Sequence, residues 1–280
     1  MQKTDKLVKI IIGERSNLSY YLAKRFTYSE VFSSSSLSKS LLQLSKFKDK
    51  KVDIIFNNFQ PSAKLSSYEN PSQYIELSIS LTVKVLMFLI EDGALINQII
   101  YTSSCSVYGN SIKTNGNDEL SPIGIPANLK YLNEQFLREV CKNNNLNLII
   151  TRIFNMFGGS DNFSVISKII NCYKNQIPLT VRNNGESIRD FIHIDNVVDV
   201  YERLLDGPAR KFNIVDVGSG HGKSLADILK YLSDNGYIIV TENSPSSEIN
   251  FSQANTSNIE EIIDISTFVD IDSFLLDEIK

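Results

Sequence analysis

Several features are scarce or missing in this chain of 280 residues. Three cysteines at irregular spacing fit neither a disulfide framework nor a zinc site, so reduced thiols and no bound metal are expected. The most apolar stretch, Val83–Ile90, is far shorter than the about 20 residues that cross a bilayer, and residues 1–16 do not resemble a signal peptide. A net charge of -4 without a basic block argues against nucleic acid. The sequence therefore predicts a cytoplasmic protein with no membrane or nucleic-acid partner.

Short apolar runs alternate with longer helical patterns up to about residue 205, which is typical of a parallel sheet covered by helices. The predicted fold class is α/β, a Rossmann-type doubly wound parallel sheet with a small C-terminal substrate-binding lobe. We assign residues 1–160 to the dinucleotide-binding core and residues 161–280 to a mixed segment that completes the core and forms the smaller lobe. The predicted strands are Leu7–Ile12, Val52–Phe56, Gln98–Thr102 and Leu146–Ile153, and the predicted helices are Leu18–Phe26, Ser72–Glu91 and Leu129–Lys142.

The first strand, turn and helix, KIIIGERSNLSYYLAKRF, have the context of a dinucleotide-binding loop of the Gly-x-x-Gly-x-x-Gly type. Only Gly13 is present, because Ser16 and Ser19 stand at the second and third glycine positions. The helix N-terminus still offers unpaired N–H groups to a phosphate, so weakened binding and an ordinary strand-turn-helix both stay open. The segment up to Val52 has room for about one strand, and no acid follows it to hold a ribose, so NAD and NADP are equally compatible, or the cofactor has been lost.

The segment QIIYTSSCSVYGN is similar to the Ser-Ser-x-x-Val-Tyr-Gly element of the extended short-chain dehydrogenase/reductase family, whose members modify nucleotide-diphosphate sugars. This resemblance implies that Ser104 holds the reacting oxygen of the sugar. It also implies that Ser103 and Tyr108 shape the substrate pocket. The alternative is that the two serines only satisfy backbone groups at the end of a strand.

The next family element is Tyr-x-x-x-Lys on a helix, in which the lysine cation lowers the pKa of the phenol. Lys130 matches the lysine, with an implied catalytic and cofactor-binding role, but Pro126 occupies the tyrosine position. Proline is tolerated in a first helical turn, so the helix is expected to form while the general acid is lost. Such a loss typically lowers the rate about 10²–10⁴-fold. Tyr131 points about 100° away around the helix and is a poor substitute.

Two later segments, TRIFNMFGG and GESIRDFIHIDN, also resemble elements of this family. The resemblance implies that Asn155 and Arg189 bind the diphosphate of a nucleotide sugar, a task suited to a planar cation. His193 is expected to have a structural role. Within the family, these segments resemble reductases of the CDP-abequose and paratose synthase type.

Two hypotheses follow from this pattern. The first is an NAD- or NADP-dependent epimerase or reductase of bacterial surface polysaccharide (O-antigen-like) biosynthesis that uses Ser104, Lys130 and an unidentified proton donor. The second is a catalytically silent relative that binds a sugar nucleotide or a partner without redox chemistry. The apolar helices Ser72–Glu91 and Leu129–Lys142 further predict a homodimer through a four-helix bundle.

Overall fold

The computed structural model describes residues 6–58, 71–110, 120–207, 212–245 and 250–280. A six-stranded sheet has the order β2-β1-β3-β4-β5-β9. Its strands are β1 (Val8–Ile12), β2 (Ser29–Phe32), β3 (Lys51–Phe56), β4 (Leu95–Ser104), β5 (Leu148–Ile153) and β9 (Ile214–Val217). The ladders of β1 with β2 and β3, and of β3 with β4, are parallel. The predicted Rossmann-type α/β class is confirmed, because runs of buried β-branched residues form the strands and helices cover them.

The early helices are α1 (Asn17–Arg25), α2 (Ser34–Leu37), α3 (Pro71–Ile75), α4 (Leu81–Glu91) and α5 (Gly124–Asn143). Short 3-10 turns span Leu42–Phe47 and Cys105–Tyr108, and a π-helical turn spans Glu76–Ser80. The predicted helix Ser72–Glu91 is thus present, with a π-helical turn inside it. The π turn is stabilised by side chains that reach its backbone, since Asn58 and Asn133 each donate from Nδ2 to the Ser78 carbonyl.

The segment Ser72–Glu91 is long and apolar enough to cross a membrane by length and composition alone, with 44% of its most apolar window buried inside the structure. Val85, Leu86 and Leu89 are fully buried in the main core. A core helix passes the same test of length and composition, and these contacts account for the apolar composition of this one.

The later elements surround a second, smaller sheet. They are β6 (Asn155–Phe157), α6 (Val165–Asn175), β7 (Leu179–Arg182), β8 (Ile188–His193), α7 (Ile194–Asp206), β10 (Gly222–Ser224), α8 (Leu225–Asp234), β11 (Thr241–Ser244), β12 (Phe251–Ser252), α9 (Ser257–Glu260) and α10 (Ile271–Ile279), with 3-10 turns at Asn183–Gly185 and Ile265–Thr267. Strand β8 lies between antiparallel β10 and parallel β12, and β6 pairs with its end. Strands β7 and β11 form a separate parallel pair.

The described residues divide into two compact units. The first lies within Met1–Val107, Pro122–Arg152 and Leu204–Ile214, and the second within Tyr108–Ser121, Ile153–Arg203 and Val215–Lys280. Each has its own apolar core, one built on the parallel sheet and the other on β7, β8 and helices α6, α8 and α10. The predicted division likewise gave part of residues 161–280 to the core. Its boundary at residue 160 stays a prediction.

Candidate functional site

The turn between β1 and α1 requires glycine at position 13. Gly13 has a φ of +123°, which residues with a side chain rarely adopt. A Cβ atom there would lie 2.2 Å from the backbone oxygen of Asn57, just beyond β3. The backbone at Gly13 therefore lies directly against the carboxyl end of β3, as a tight phosphate-binding turn requires.

The two serines that replace glycines in this loop share one partner. Asn57 donates from Nδ2 to Ser16 Oγ at 2.8 Å and to Ser19 Oγ at 2.9 Å. Ser19 is fully buried between helix and strand, and Ser16 is half-buried. Both hydroxyls are thus engaged with Asn57, so a polar bridge replaces the close contact that glycines make.

This arrangement fits the diphosphate of a dinucleotide. Ser16 is the N-cap residue of α1, its side chain makes no capping hydrogen bond, and the first turn of α1 contains no acidic residue. The positive end of the helix dipole is therefore neither capped by Ser16 nor opposed by a carboxylate in that turn, which favours an anion. Backbone N–H groups at a helix start are the ordinary ligands of such phosphates.

The part of the fold that would receive the adenosine, between α1 and β3, is small. A single strand, β2, lies between α1 and β3, as the spacing predicts. It ends at Phe32, and the next residue, Ser33, caps α2 by accepting from the Ser36 N–H at 3.1 Å. Residues 33–36 are all serine, so no carboxylate stands at the strand end to select NAD over NADP.

At the end of β4, Ser103 belongs to a buried polar network. Its hydroxyl donates to Glu134 Oε1 at 2.5 Å. Arg152 holds the same carboxylate with two hydrogen bonds, from Nε to Oε1 at 3.1 Å and from Nη2 to Oε2 at 2.7 Å. The side chains of Glu134 and Arg152 are 0% and 1% exposed. These contacts give Ser103 a structural partner, and its predicted role in substrate binding stays a prediction.

Ser104 and Lys130 lie beside the same strand end. The Lys130 ammonium donates from Nζ to the Thr102 carbonyl at 3.1 Å, and Ser104 Oγ accepts from the Ser106 N–H at 3.2 Å. Both residues are half-buried. Burial lowers the pKa of Lys130 well below its usual range, although Glu134 and Cys105 act in the opposite direction. The structure thus brings two predicted catalytic residues to one strand end.

Pro126 is the third residue of α5, so the helix forms despite the substitution, as predicted. The N–H groups of a first helical turn have no partner within the helix, and proline there costs no hydrogen bond. Helix α5 begins at Gly124, five residues before the predicted start. The backbone at position 126 is helical, and the residue there carries no phenol.

In the second unit, Asn155 and Arg189 lie on adjoining strands. Asn155 donates from Nδ2 to the Asp190 carbonyl at 2.9 Å, and β6 pairs with β8 through Asn155 and Phe191. Arg189 is half-buried, lies opposite Lys223 of β10 and Ser252 of β12, and donates from Nη1 to the Ile188 carbonyl at 2.9 Å. Cross-strand partners share one face of a sheet, so two cations and a hydroxyl lie together there.

Asp190 organises the loops around β8. Its carboxylate accepts from the N–H and hydroxyl of Ser219 at 2.7 Å each, from Gly220 N at 2.9 Å and from Ala254 N at 3.0 Å. Burial raises its pKa, while these hydrogen bonds lower it. The acid after Arg189 is therefore the anchor of two loops.

His193 also has structural surroundings. Its Nδ1 accepts from the Asp195 N–H at 3.3 Å, and its ring meets that of Phe157 edge-to-face at 5.3 Å. Burial lowers its pKa, so the neutral ring is favoured. These contacts agree with the structural role expected from the sequence.

Sequence reasoning missed two sets of contacts at the site. Asn57 directly follows the buried strand KVDIIF, a position where side chains commonly face a ligand site, but its link to Ser16 and Ser19 spans about forty residues. Nothing in the local sequence pairs Glu134 with Arg152, because they come from a helix and a strand that meet only in the fold.

The glycine turn, the helix start behind it and the serine-lysine strand end define an α/β protein with a dinucleotide-type site. Residues 16–218 match the model of the NAD dependent epimerase/dehydratase family, and the chain belongs to that family. The predicted membership is confirmed, and the narrower likeness to abequose and paratose synthases stays a prediction.

Curated relatives and solved structures agree with this family. An ADP-L-glycero-D-manno-heptose-6-epimerase of Brachyspira hyodysenteriae is 32% identical over 49% of this chain and 46% of its own length. A UDP-glucose 4-epimerase of Mycoplasma genitalium is 22% identical over 81% of this chain and 73% of its own length. The structure of the UDP-glucuronic acid 4-epimerase of Bacillus cereus, in complex with UDP-glucuronic acid and NAD, superposes with a TM-score of 0.84 at 18% identity, covering 97% of this chain and 98% of that one. The likeness to the Bacillus cereus structure shows the shared fold. The sequence match to the Brachyspira relative spans only about half of that protein's length.

Proposed function

We propose that this chain is an NAD- or NADP-dependent epimerase or reductase of nucleotide-diphosphate sugars, acting in the cytoplasm in surface polysaccharide biosynthesis. The observation that carries the proposal is the bridge from Asn57 to Ser16 and Ser19. It keeps the hydroxyls of both substituted residues engaged with protein atoms, while Gly13 preserves the turn. The loop is therefore able to accept a diphosphate.

In this proposal the cofactor diphosphate would be held by the backbone at Gly13, Ser16 and Ser19, and Lys130 would also bind the cofactor. When bound, the nicotinamide supplies or accepts a hydride. Ser104 holds the reacting oxygen of the sugar. The half-buried hydroxyl suits this task because it is fixed on one side by the Ser106 N–H.

The nucleotide sugar is proposed to bind through Asn155 and Arg189, and the family resemblance also gives Ser103 a substrate-binding role. The UDP-glucuronic acid bound to the Bacillus cereus neighbour is one member of this substrate class. The cross-strand partner of Arg189, Lys223, is itself paired with Asp272, so the diphosphate contact is assigned to Arg189 and Asn155. A planar guanidinium can give phosphate oxygens two parallel hydrogen bonds.

A second candidate function is a catalytically silent sugar-nucleotide-binding protein. The observation that favours it is Pro126, which leaves no phenol one turn before Lys130. This candidate predicts binding of a sugar nucleotide without binding of a dinucleotide.

A fluorescence titration with NADH and NADPH, alone and with UDP-, CDP- and dTDP-sugars, separates the two candidates. The chain has no tryptophan, so nicotinamide emission is read without tryptophan interference. Saturable micromolar binding supports the proposal. A folded protein that binds a sugar nucleotide but no dinucleotide at millimolar concentration contradicts it and supports the silent homologue.

The matched variants for this titration are Gly13→Ala and Gly93→Ala. Both glycines have positive φ, +123° and +88°, but a Cβ at position 93 meets its nearest atom only at 3.9 Å. Alanine therefore strains the backbone at both positions, but its Cβ clashes with a neighbouring atom only at position 13. Gly13→Ala should weaken cofactor binding at least about tenfold, since 1.4 kcal/mol of misfit suffices for that factor. Gly93→Ala should bind like the wild type.

A homodimer is proposed through the helices Ser72–Glu91 and Leu129–Lys142. Leu132 and Phe136, one turn apart on α5, are 45% and 51% exposed. Two large apolar side chains on one helical face are expected to pack against a second copy through the four-helix bundle.

A further inference from the structure

The proton donor that Pro126 cannot supply has a candidate one turn further along α5. Lys130 is half-buried, and its ammonium is held by the Thr102 carbonyl at 3.1 Å, on the strand that ends with Ser104. Two residues along a strand span about 6.6 Å. A sugar oxygen held by Ser104 would therefore lie within reach of a flexible four-carbon side chain that is anchored beside Thr102.

The carboxylate nearest to Lys130 on the same helix is already compensated. Glu134 accepts from both Nε and Nη2 of Arg152 and from the Ser103 hydroxyl. A second guanidinium, that of Arg138, lies 3.6 Å from Oε2. Glu134 therefore faces two cations before Lys130 is counted.

A second titratable group that acts on Lys130 is the Cys105 thiol, from the turn after β4. A thiol is largely neutral at pH 7, so it compensates little of a neighbouring cation. A half-buried ammonium that is held by a backbone carbonyl, beside a carboxylate already engaged by Arg152 and Ser103, loses its proton more readily than an exposed lysine.

We propose that Lys130 itself exchanges the proton with the sugar oxygen held by Ser104, in place of the phenol that position 126 lacks. This inference rests on the proposed function. In the reductive direction the N–H bond at Nζ breaks, an O–H bond forms on the sugar oxygen, and the electron pair of the N–H bond stays on Nζ. The neutral amine then regains a proton from water. In the oxidative direction the same amine accepts the proton of the sugar hydroxyl.

The first test measures the titration of Lys130 without any turnover. Trace acetylation of the intact protein across a pH series, followed by peptide mass spectrometry, gives a midpoint for each lysine that does not depend on its accessibility. Lys230 is the internal control, because Asp234 raises its pKa through a hydrogen bond and its charge. The proposal requires a Lys130 midpoint at least about one unit below that of Lys230. Equal midpoints overturn it.

The second test locates Lys130 relative to the sugar. UDP-glucuronic acid, or whichever sugar nucleotide binds in the titration, should slow acetylation of Lys130 at least about threefold and leave Lys230 unchanged. Bound sugar nucleotide without protection of Lys130 overturns the inference and leaves the proposed function standing. Absence of any cofactor or sugar-nucleotide binding overturns the proposed function instead.

Variants connect the titration to the reaction. Lys130→Arg keeps the charge but holds its proton at every accessible pH, so it should retain sugar-nucleotide binding and KM while kcat falls about 10²–10⁴-fold. Pro126→Tyr in the Lys130→Arg background should restore part of kcat, since it returns a phenol to the first turn of α5. Unchanged kcat and pH profile in Lys130→Arg would show that another group moves the proton.

Discussion

Replacing Arg152 by methionine should strongly destabilise the first unit. The guanidinium makes two hydrogen bonds to Glu134, at 3.1 and 2.7 Å, and both side chains are essentially inaccessible. Methionine keeps the apolar volume and leaves the Glu134 carboxylate buried without its main counterion. Removing one member of a buried pair costs about 3–5 kcal/mol, a large share of the about 5–15 kcal/mol that stabilises a typical domain.

The double variant Glu134→Leu/Arg152→Met tests the reason for this loss. Removing both charges leaves no uncompensated ion, so the double variant should be more stable than Arg152→Met by about 1–3 kcal/mol. It should not regain wild-type stability, because Ser103 loses its acceptor at a cost of about 1–3 kcal/mol.

Urea unfolding followed by circular dichroism and tyrosine fluorescence measures these differences. Lys230→Met is the control, since its ion pair with Asp234 is exposed and one turn apart on α8, and such pairs contribute little to stability. A loss below about 1 kcal/mol in Arg152→Met, or strictly additive effects in the double variant, would refute the reasoning.

Three further outcomes are expected. Because burial lowers the pKa of His193, the native state binds fewer protons than the unfolded chain below about pH 6.5, so the stability from this residue is complete above that pH and declines as pH falls. Melting curves should lose this decline in His193→Gln and keep it in His221→Gln. An unchanged decline in His193→Gln contradicts the assignment. Asp190→Ala removes the acceptor of four hydrogen bonds and should lower the melting temperature by at least about 6 °C, whereas a fall under about 2 °C would mean that water replaces the carboxylate. Phe136→Glu should convert the dimer to monomer in light-scattering measurements. Ile238→Glu, which changes a side chain 73% exposed in the second unit, should leave the dimer intact. A monomeric wild type excludes the dimer.

Much of the first unit could be predicted because its signals are local. Buried strands of β-branched residues mark β1, β3, β4 and β5, and each observed strand overlaps its prediction. The start of α5 was predicted less accurately, since this helix begins at Gly124, five residues before its predicted start. The π turn at Glu76–Ser80 was missed, because it is held by Asn58 and Asn133 from distant parts of the chain.

The sequence by itself determined the fold class, the family, the position of the glycine turn and the absence of a phenol before Lys130, since each depends on residue type at short spacing. The tertiary structure alone decided how the substituted loop is accommodated and how charge is distributed around Lys130. Asn57 reaches Ser16 and Ser19, and Arg152 reaches Glu134, only after strands and helices far apart in sequence have packed. The physical reason is that hydrogen bonding and burial act through space, so the pKa of a lysine depends on which distant groups the fold places beside it.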